Sequence, residues 1–440
     1  VKTRLFFGTL LPIFLLLGSC GRSGDNDRRF GPKGTYLPDL NILFEDYEQL
    51  DSTGNYAGFA NRLVLANRDL QASELFIEAA SLYDQAGNTD SVLILLHKAI
   101  DCGMANPYIL SKFSAGTDTS ESQARRALEL RLDSIHGKLQ MVGNFSLELD
   151  AMNAFWPYYE KALQDTAKAR QLLREFIFKG PRQLRDYYAV RYLSIDAMYG
   201  QMINASPEYY LFLRKQFDSN RVLALKDKTS RWMERFKELY PQAVFPKVYV
   251  VPGLLNSGGT ATEMGLFVGG DMYGKSDATP TGELTDWQRG AIMDVSSLPA
   301  LTLHELMHFQ QNYRDPANVN NVLFNLVQEG VCDLLVELCS GEPLANSNLE
   351  YLDIPQNREK ILKDLRSELY SDDLSKWLYN GGSIQDRPHD LGYTLGYLIT
   401  KSYFEGQADK QKAIYELLNS SDLNAIIKES EYAFLLNKPL

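Results

Sequence analysis

The chain has 440 residues, and 56 acidic against 45 basic side chains give a formal net charge of −11 at pH 7. That balance argues against a nucleic-acid partner and against adsorption to anionic lipid through surface charge. The length admits two domains, and after the N-terminal segment no apolar run reaches the roughly eighteen residues of a membrane-spanning helix.

Residues 1–19 read as a lipoprotein signal peptide. Lys2 and Arg4 form a basic start, and Leu5 to Leu17 an apolar run too short to span a bilayer. Leu17-Gly18-Ser19-Cys20 then reads as a lipobox, which makes Cys20 the expected lipidation site and first mature residue. Residues 20–37 are polar and glycine-rich, as in a flexible tether. Gly21 after the cysteine, by resemblance to better-known lipoproteins, implies the outer membrane. The expectation is a chain lipid-anchored in a bacterial cell envelope, soluble apart from its anchor.

Residues 38–141 read as a helical domain. Phe76, Ala79, Ala80 and Tyr83 recur at helical spacing over Glu74–Ala86, and Gly87-Asn88 breaks the pattern. Asp90 or Ser91 is the expected cap of a second helix carrying Val92, Leu95, Leu96 and Ala99. The pair resembles one tetratricopeptide unit. A structural helical hairpin is the reading favoured, with a groove for a protein partner as the functional alternative. Residues 142–240 continue as amphipathic helices rich in Tyr and Phe, broken at Gly180-Pro181 and near Asn204–Pro207.

The pattern then changes. Lys247–Val251 and Gly265–Gly269 read as strands, and Asn256–Thr260 as a loop whose glycines permit close approach. Asn256, Gly258 and Gly259 are therefore candidates to contact substrate backbone, with a tight hairpin connection as the structural alternative. Residues 270–290 read as a polar loop over a cleft.

The most informative string follows. His304-Glu305-Leu306-Met307-His308 places two of only five histidines one helical turn apart. Residues four apart share a helix face, so both imidazoles can ligate one Zn²⁺, while Glu305 at the edge of that face can take a proton from a metal-bound water. Pro299 suits the first turn, with Ser296 or Ser297 as cap. A third ligand is needed. The position six residues after His308 is Arg314, so the candidate is Glu329 on a second predicted helix over Asn321–Cys339. Asp333, four residues on, can accept a hydrogen bond from a ligand histidine and fix its tautomer. Without a cation, Glu329 and Asp333 are like charges at helical spacing among Val327, Val331, Leu334 and Leu335.

These residues resemble the gluzincin (thermolysin-like) metallopeptidases, whose third ligand is a glutamate on the next helix followed by an aspartate four residues later. Phe245–Pro252, Asn256–Thr260, Glu329-Gly330 and Asp390–Tyr397 are further similar to predicted Zn-dependent proteases related to the gliding-motility lipoprotein B family. The resemblance covers residues 145–440. It implies a zinc metallopeptidase-like domain over 142–440 whose edge strand holds an extended peptide. Members similar to the motility lipoprotein need not be active peptidases, which leaves an inactive binding or assembly factor of the envelope as the alternative.

Downstream, residues 379–389 read as a loop and Leu391–Tyr403 as a helix that can return over the metal. His389, Arg387, Tyr393 and Tyr397 are candidate oxyanion donors, against structural roles as a capping histidine or a tyrosine bonded to backbone. Cys332 and Cys339 lie about 10 Å apart along one predicted helix, which excludes a disulfide between them; Cys332, three residues from Glu329, reads as a small buried side chain, with contact to the metal site as the alternative. The sequence thus predicts a mainly α chain with a small β-sheet (α+β): a helical N-terminal domain before a metallopeptidase-like domain that cleaves a peptide or protein substrate.

Overall fold

A computed structural model describes residues 36–45, 47, 53–114, 122–217, 219–380 and 384–436. The expected signal peptide, Cys20 and most of the tether lie outside these residues. The fold is mainly α with one four-stranded mixed sheet, as expected. No described helix is long and apolar enough to cross a membrane.

The longer helices are α1 (Tyr56–Leu70), α2 (Ser73–Gln85), α3 (Thr89–Asp101), α4 (Gln123–Leu139), α5 (Asp150–Gln164), α6 (Ala169–Lys179) and α7 (Ser219–Leu239). After the strands come α8 (Leu298–Gln310), α9 (Val322–Ser340), α10 (Pro355–Glu368), α11 (Leu391–Gly406) and α12 (Lys410–Asn419). The cap of α3 is Asn88, whose side chain accepts from Ser91 N, rather than Asp90 or Ser91. An Asn side chain at that position satisfies an otherwise orphaned N–H. Phe59, Phe76, Leu96 and Leu128 belong to one buried cluster of the N-terminal helices. A larger core spans the rest and reaches back to Leu37, Leu40, Leu70 and Leu75.

The sheet comprises β1 (Leu147–Glu148), β2 (Val248–Val251), β3 (Gly259–Ala261) and β4 (Leu266–Gly269), in the order β1-β2-β4-β3. The two predicted strands are β2 and β4, and they pair in parallel. The third strand, β3, emerges from the end of the predicted loop and pairs antiparallel with β4, Thr260 opposite Phe267. Its short polar sequence carries no alternation of burial, so pairing with the buried β4 is what makes it a strand. The polar segment 270–290 is not a free loop. Asp271, Met272 and Tyr273 are buried in a tight turn, and Asp286–Ala291 is a short helix with a Thr285/Gln288 capping box.

Two close approaches set the position of the later helices. Gln310 brackets Val244, donating to its carbonyl at 2.9 Å and accepting from its N–H at 2.9 Å, which ties the end of α8 to the chain entering β2. Gly330 of α9 packs on Gly396 of α11 so closely that a Cβ on either would overlap the other helix's backbone. The motif glycines thus permit a helix crossing that no larger residue allows.

The N-terminal helices grip the β3–β4 turn. Ala105 N and Asn106 N donate to Glu263 O at 2.7 and 3.0 Å. Glu74 Oε1 accepts from Glu263 N at 2.7 Å and Met264 N at 3.3 Å. Burial, reinforced by the nearby Glu263 and Asp186 carboxylates, pushes the Glu74 carboxyl up to about 8. A carboxyl raised in the folded state stabilises the fold fully below its ordinary value near 4.5, and that stabilisation is lost as pH rises through about 8. Glu74→Gln keeps an oxygen acceptor and removes the charge. It is expected to raise the melting temperature by a few degrees at pH 8.5 and to change it little at pH 4. Equal melting shifts at both pH values would refute this account.

Candidate metal centre

The two histidines stand on α8 and face α9. His304 Nε2 and His308 Nε2 each lie 3.2 Å from the same atom, Glu329 Oε2. Glu329 is only 5 % exposed. The far side of each ring is also held. His304 Nδ1 lies 3.0 Å from Asp333 Oδ1. His308 Nδ1 lies 3.0 Å from Gln311 Oε1, while Gln311 Nε2 donates to Gln328 O at 2.7 Å. With its amide NH₂ spent on a carbonyl, Gln311 turns its oxygen to the ring, so His308 Nδ1–H is the donor. Both Nδ1 atoms therefore carry protons, and both Nε2 atoms converge on one carboxylate oxygen. This is the arrangement by which outer partners orient metal-ligating imidazoles.

The electrostatics agree. Burial acts to lower both histidine pKa values, yet the fields and hydrogen bonds of Cys332, Glu329 and, for His304, Asp333 hold both rings well above the ordinary histidine range. Burial acts to raise Glu329, and His308 and His304 outweigh it, holding the carboxyl far below the ordinary range. Protons on the two Nε2 atoms thus neutralise a site built around buried carboxylates. A divalent cation neutralises the same site, and two imidazole nitrogens with one carboxylate oxygen are a donor set that zinc takes. The residues fit the metal.

Cys332 is more than a small buried side chain. His304, His308 and Cys332 offer ligand atoms within 4.8 Å of one another. Its Sγ lies 3.6 Å from His308 Nδ1 and 3.8 Å from Nε2, and donates to Gln328 O at 3.3 Å. Near-equal distances to both ring nitrogens put the sulfur beside the ring, off the Nε2 lone-pair axis on which a shared metal must lie. Glu329 Oε2 is the better placed third donor.

Glu305 is 8 % exposed and lies against β3. A Cβ on Gly259 would stand 2.5 Å from both Glu305 Cγ and Oε1, so only glycine lets the strand come this close. Asn256 is exposed in the preceding loop, and Gly258 packs near Tyr273, Met293 and Leu301. In the sheet order β3 is an edge strand. Thr262 and Gly265 exchange both backbone bonds, and Gly269 N donates to Gly258 O. In that register Gly259 and Ala261 turn their peptide groups away from β4, and Gly259 O accepts from Ser257 Oγ at 2.6 Å and Thr260 Oγ1 at 2.7 Å. The loop entering β3 is fixed by buried Asp271, whose carboxylate accepts from Gly253 N at 2.6 Å and from Leu255 N.

Of the downstream candidates, Tyr393 joins the cluster. Its ring centroid lies 6.3 Å from that of His304, and its hydroxyl makes no hydrogen bond to a described residue. Burial, then the Glu329 carboxylate, pushes its phenol well above the ordinary value and keeps it a donor. The Gly330–Gly396 crossing explains this placement, because Tyr393 lies three residues before Gly396 and shares its helix face. The other three lie elsewhere. Tyr397 donates to Glu337 at 2.5 Å and accepts from Lys401. Arg387 pairs with Asp364 and Asp386 and lies over Trp377. His389 is exposed, with its backbone carbonyl accepting from Asn348.

Two residues of the site escape a reading by motif. Gln311 lies just past the end of α8, and only its backbone turn brings it to His308. Tyr379 donates to Glu329 Oε1 at 2.6 Å from a loop fifty residues away.

A family model described as "Predicted Zn-dependent protease (DUF2268)" matches residues 275–425, the stretch that contains His304, Glu305, His308, Glu329, Asp333, Tyr379 and Tyr393. No curated protein and no solved structure matches the chain.

Removing either outer partner frees a ring to rotate. Asp333→Ala and Gln311→Ala are each expected to weaken zinc binding by roughly 10–100-fold, measured by competition with a chromophoric chelator. Wild-type affinity in both variants would mean that these contacts do not orient ligands.

Proposed function

We propose that this protein is a gluzincin-type zinc metallopeptidase that hydrolyses peptide bonds. The observation that carries the reading is the convergence of both imidazole Nε2 atoms on Glu329 Oε2, with Glu305 of the same helix lying against the edge strand at Gly259. His304, His308 and Glu329 would hold the zinc, which when bound supplies Lewis acidity and lowers the pKa of a water to about 7. Glu305 takes the proton of the attacking water and passes it to the leaving amine. Its burial beside Gly259 keeps that carboxylate in one orientation. The substrate lies extended along β3, bonded to the outward Gly259 N–H and the Ala261 peptide groups, because Gly259 O already accepts from Ser257 Oγ and Thr260 Oγ1. Tyr393, whose hydroxyl makes no hydrogen bond to a described residue, donates to the oxyanion that develops on the carbonyl.

Substitutions separate these roles. His304→Ala and Glu329→Ala are expected to lose stoichiometric zinc, whereas Cys332→Ala keeps it. Glu305→Gln keeps zinc and loses hydrolysis of a broad peptide library. Gly259→Ala also keeps zinc and loses on the order of 10²-fold in rate, because Glu305 is displaced. Metal analysis and mass-spectrometric product mapping read all of these outcomes. Full activity in Glu305→Gln would reject the mechanism. A folded, zinc-loaded wild-type protein that cleaves nothing would favour the envelope binding factor instead.

We further propose that the chain is held in the bacterial envelope by a lipid on Cys20, a reading supported by the basic start, apolar run and lipobox of residues 1–20. Cys20→Ser is expected to move the full chain from the membrane to the soluble fraction and to abolish incorporation of a labelled fatty acid. Unchanged membrane association would remove the anchor from this account.

A further inference from the structure

We infer that Tyr379 is a positioning residue of the metal centre, committing one oxygen of Glu329 so that only the other faces the two imidazoles. This rests on the zinc reading above. The Tyr379 hydroxyl donates to Glu329 Oε1 at 2.6 Å, while Oε2 stands 3.2 Å from both Nε2 atoms. The two oxygens of one buried carboxylate thus have separate partners. A carboxylate with both oxygens free can chelate a metal through both. With Oε1 engaged by a phenol it ligates through one and leaves the fourth position to water, which hydrolysis requires.

The backbone that carries Tyr379 is built to hold it. Tyr379 has φ +56°, a left-handed conformation that a tyrosine keeps only where its surroundings impose it. The next residue begins a segment whose two ends are clasped. Asn380 N donates to Asp390 Oδ1 at 2.9 Å, and Asp390 N donates back to Asn380 Oδ1 at 2.8 Å. Gly392 N donates to Trp377 O at 2.8 Å, anchoring the same neck on the other side. The Tyr379 ring meets Tyr393 edge to face, centroids 6.1 Å apart. The clasp therefore fixes Tyr379 against Glu329 and, through the ring contact, aligns it with the tyrosine that faces the substrate carbonyl.

The division of labour is testable with the full chain loaded with cobalt(II) in place of zinc. Tyr379→Phe keeps the ring and its contact with Tyr393 and removes only the hydroxyl. It is expected to alter the visible cobalt spectrum, as the freed Oε1 adds to the metal's coordination, and to change the zinc Kd by about 10-fold or more. The metal-free protein is expected to stay folded, with its melting temperature lowered by a few degrees for the lost hydrogen bond to a buried carboxylate. Asp390→Ala, which opens the clasp, is expected to shift the spectrum in the same direction by less, and serves alone if Tyr379→Phe does not fold. An unchanged cobalt spectrum overturns the inference, whatever happens to Kd. A wild-type protein that takes up neither metal overturns the zinc reading itself, so the two failures are told apart.

Discussion

The whole site depends on one carboxylate oxygen shared by two imidazoles. Glu329 Oε2 can meet both Nε2 atoms only if α8 and α9 are held at a fixed separation and rotation. The connection between them does part of this. Asp315 accepts from Ala317 N, Asn318 Nδ2 and Leu423 N, so one buried side chain ties the connection to itself and to the C-terminal helices. Asn312 N and Arg314 N donate to Leu418 O and Ser420 O, fixing the first turn after α8 to the end of α12. On the far side, the glycine crossing of α9 and α11 leaves no slack. Rotation of α9 by even a fraction of a turn would separate Glu329 from the rings, since adjacent helical positions differ by about 100°.

Burying so many ionisable groups together is costly unless their charges balance. Glu329, Asp333, Glu305 and two imidazoles lie within adjacent turns of α8 and α9. Protons on the two rings offset two of the three carboxylates, but they also block the nitrogens a metal would need. The Nδ1 contacts to Asp333 and Gln311 resolve this, because they assign the proton each ring keeps and leave Nε2 as the exchangeable position. Proton and metal compete for the same lone pairs.

Much of this was legible in the sequence because it is local. Histidines at i and i+4, the Pro299 start, a second helix close to Asn321–Cys339 and the four-residue step from Glu329 to Asp333 are all helix-periodic, and the helices lie close to where the spacing predicts. What escaped is non-local. Tyr379 reaches Glu329 from a loop with no periodicity, and Gln311 acts from a residue just outside α8. The strand β3 was hidden because three small residues carry no pattern until β4 pairs with them. The Asp390–Tyr397 segment shows the boundary. Its glycines and tyrosines stood out, yet Tyr393 faces the cluster and Tyr397 turns to Glu337 and Lys401, as four positions along a helix separate neighbours that diverge when the helix crosses another at a glycine.

The N-terminal helices reach the candidate site through the strand rather than through the histidine–carboxylate cluster. The edge strand β3 is fixed at its entrance by Asp271, which holds Gly253 and Leu255, and at its far turn by Glu74, Ala105 and Asn106, which hold Glu263 and Met264. Between these two anchors Gly259 meets Glu305 without a side chain to cushion it. A strand of three residues has few ladder bonds of its own, so its position beside Glu305 is set by those anchors. The contact with the helical unit therefore bears on where β3 lies relative to Glu305, and the two buried clusters of the fold meet at one strand.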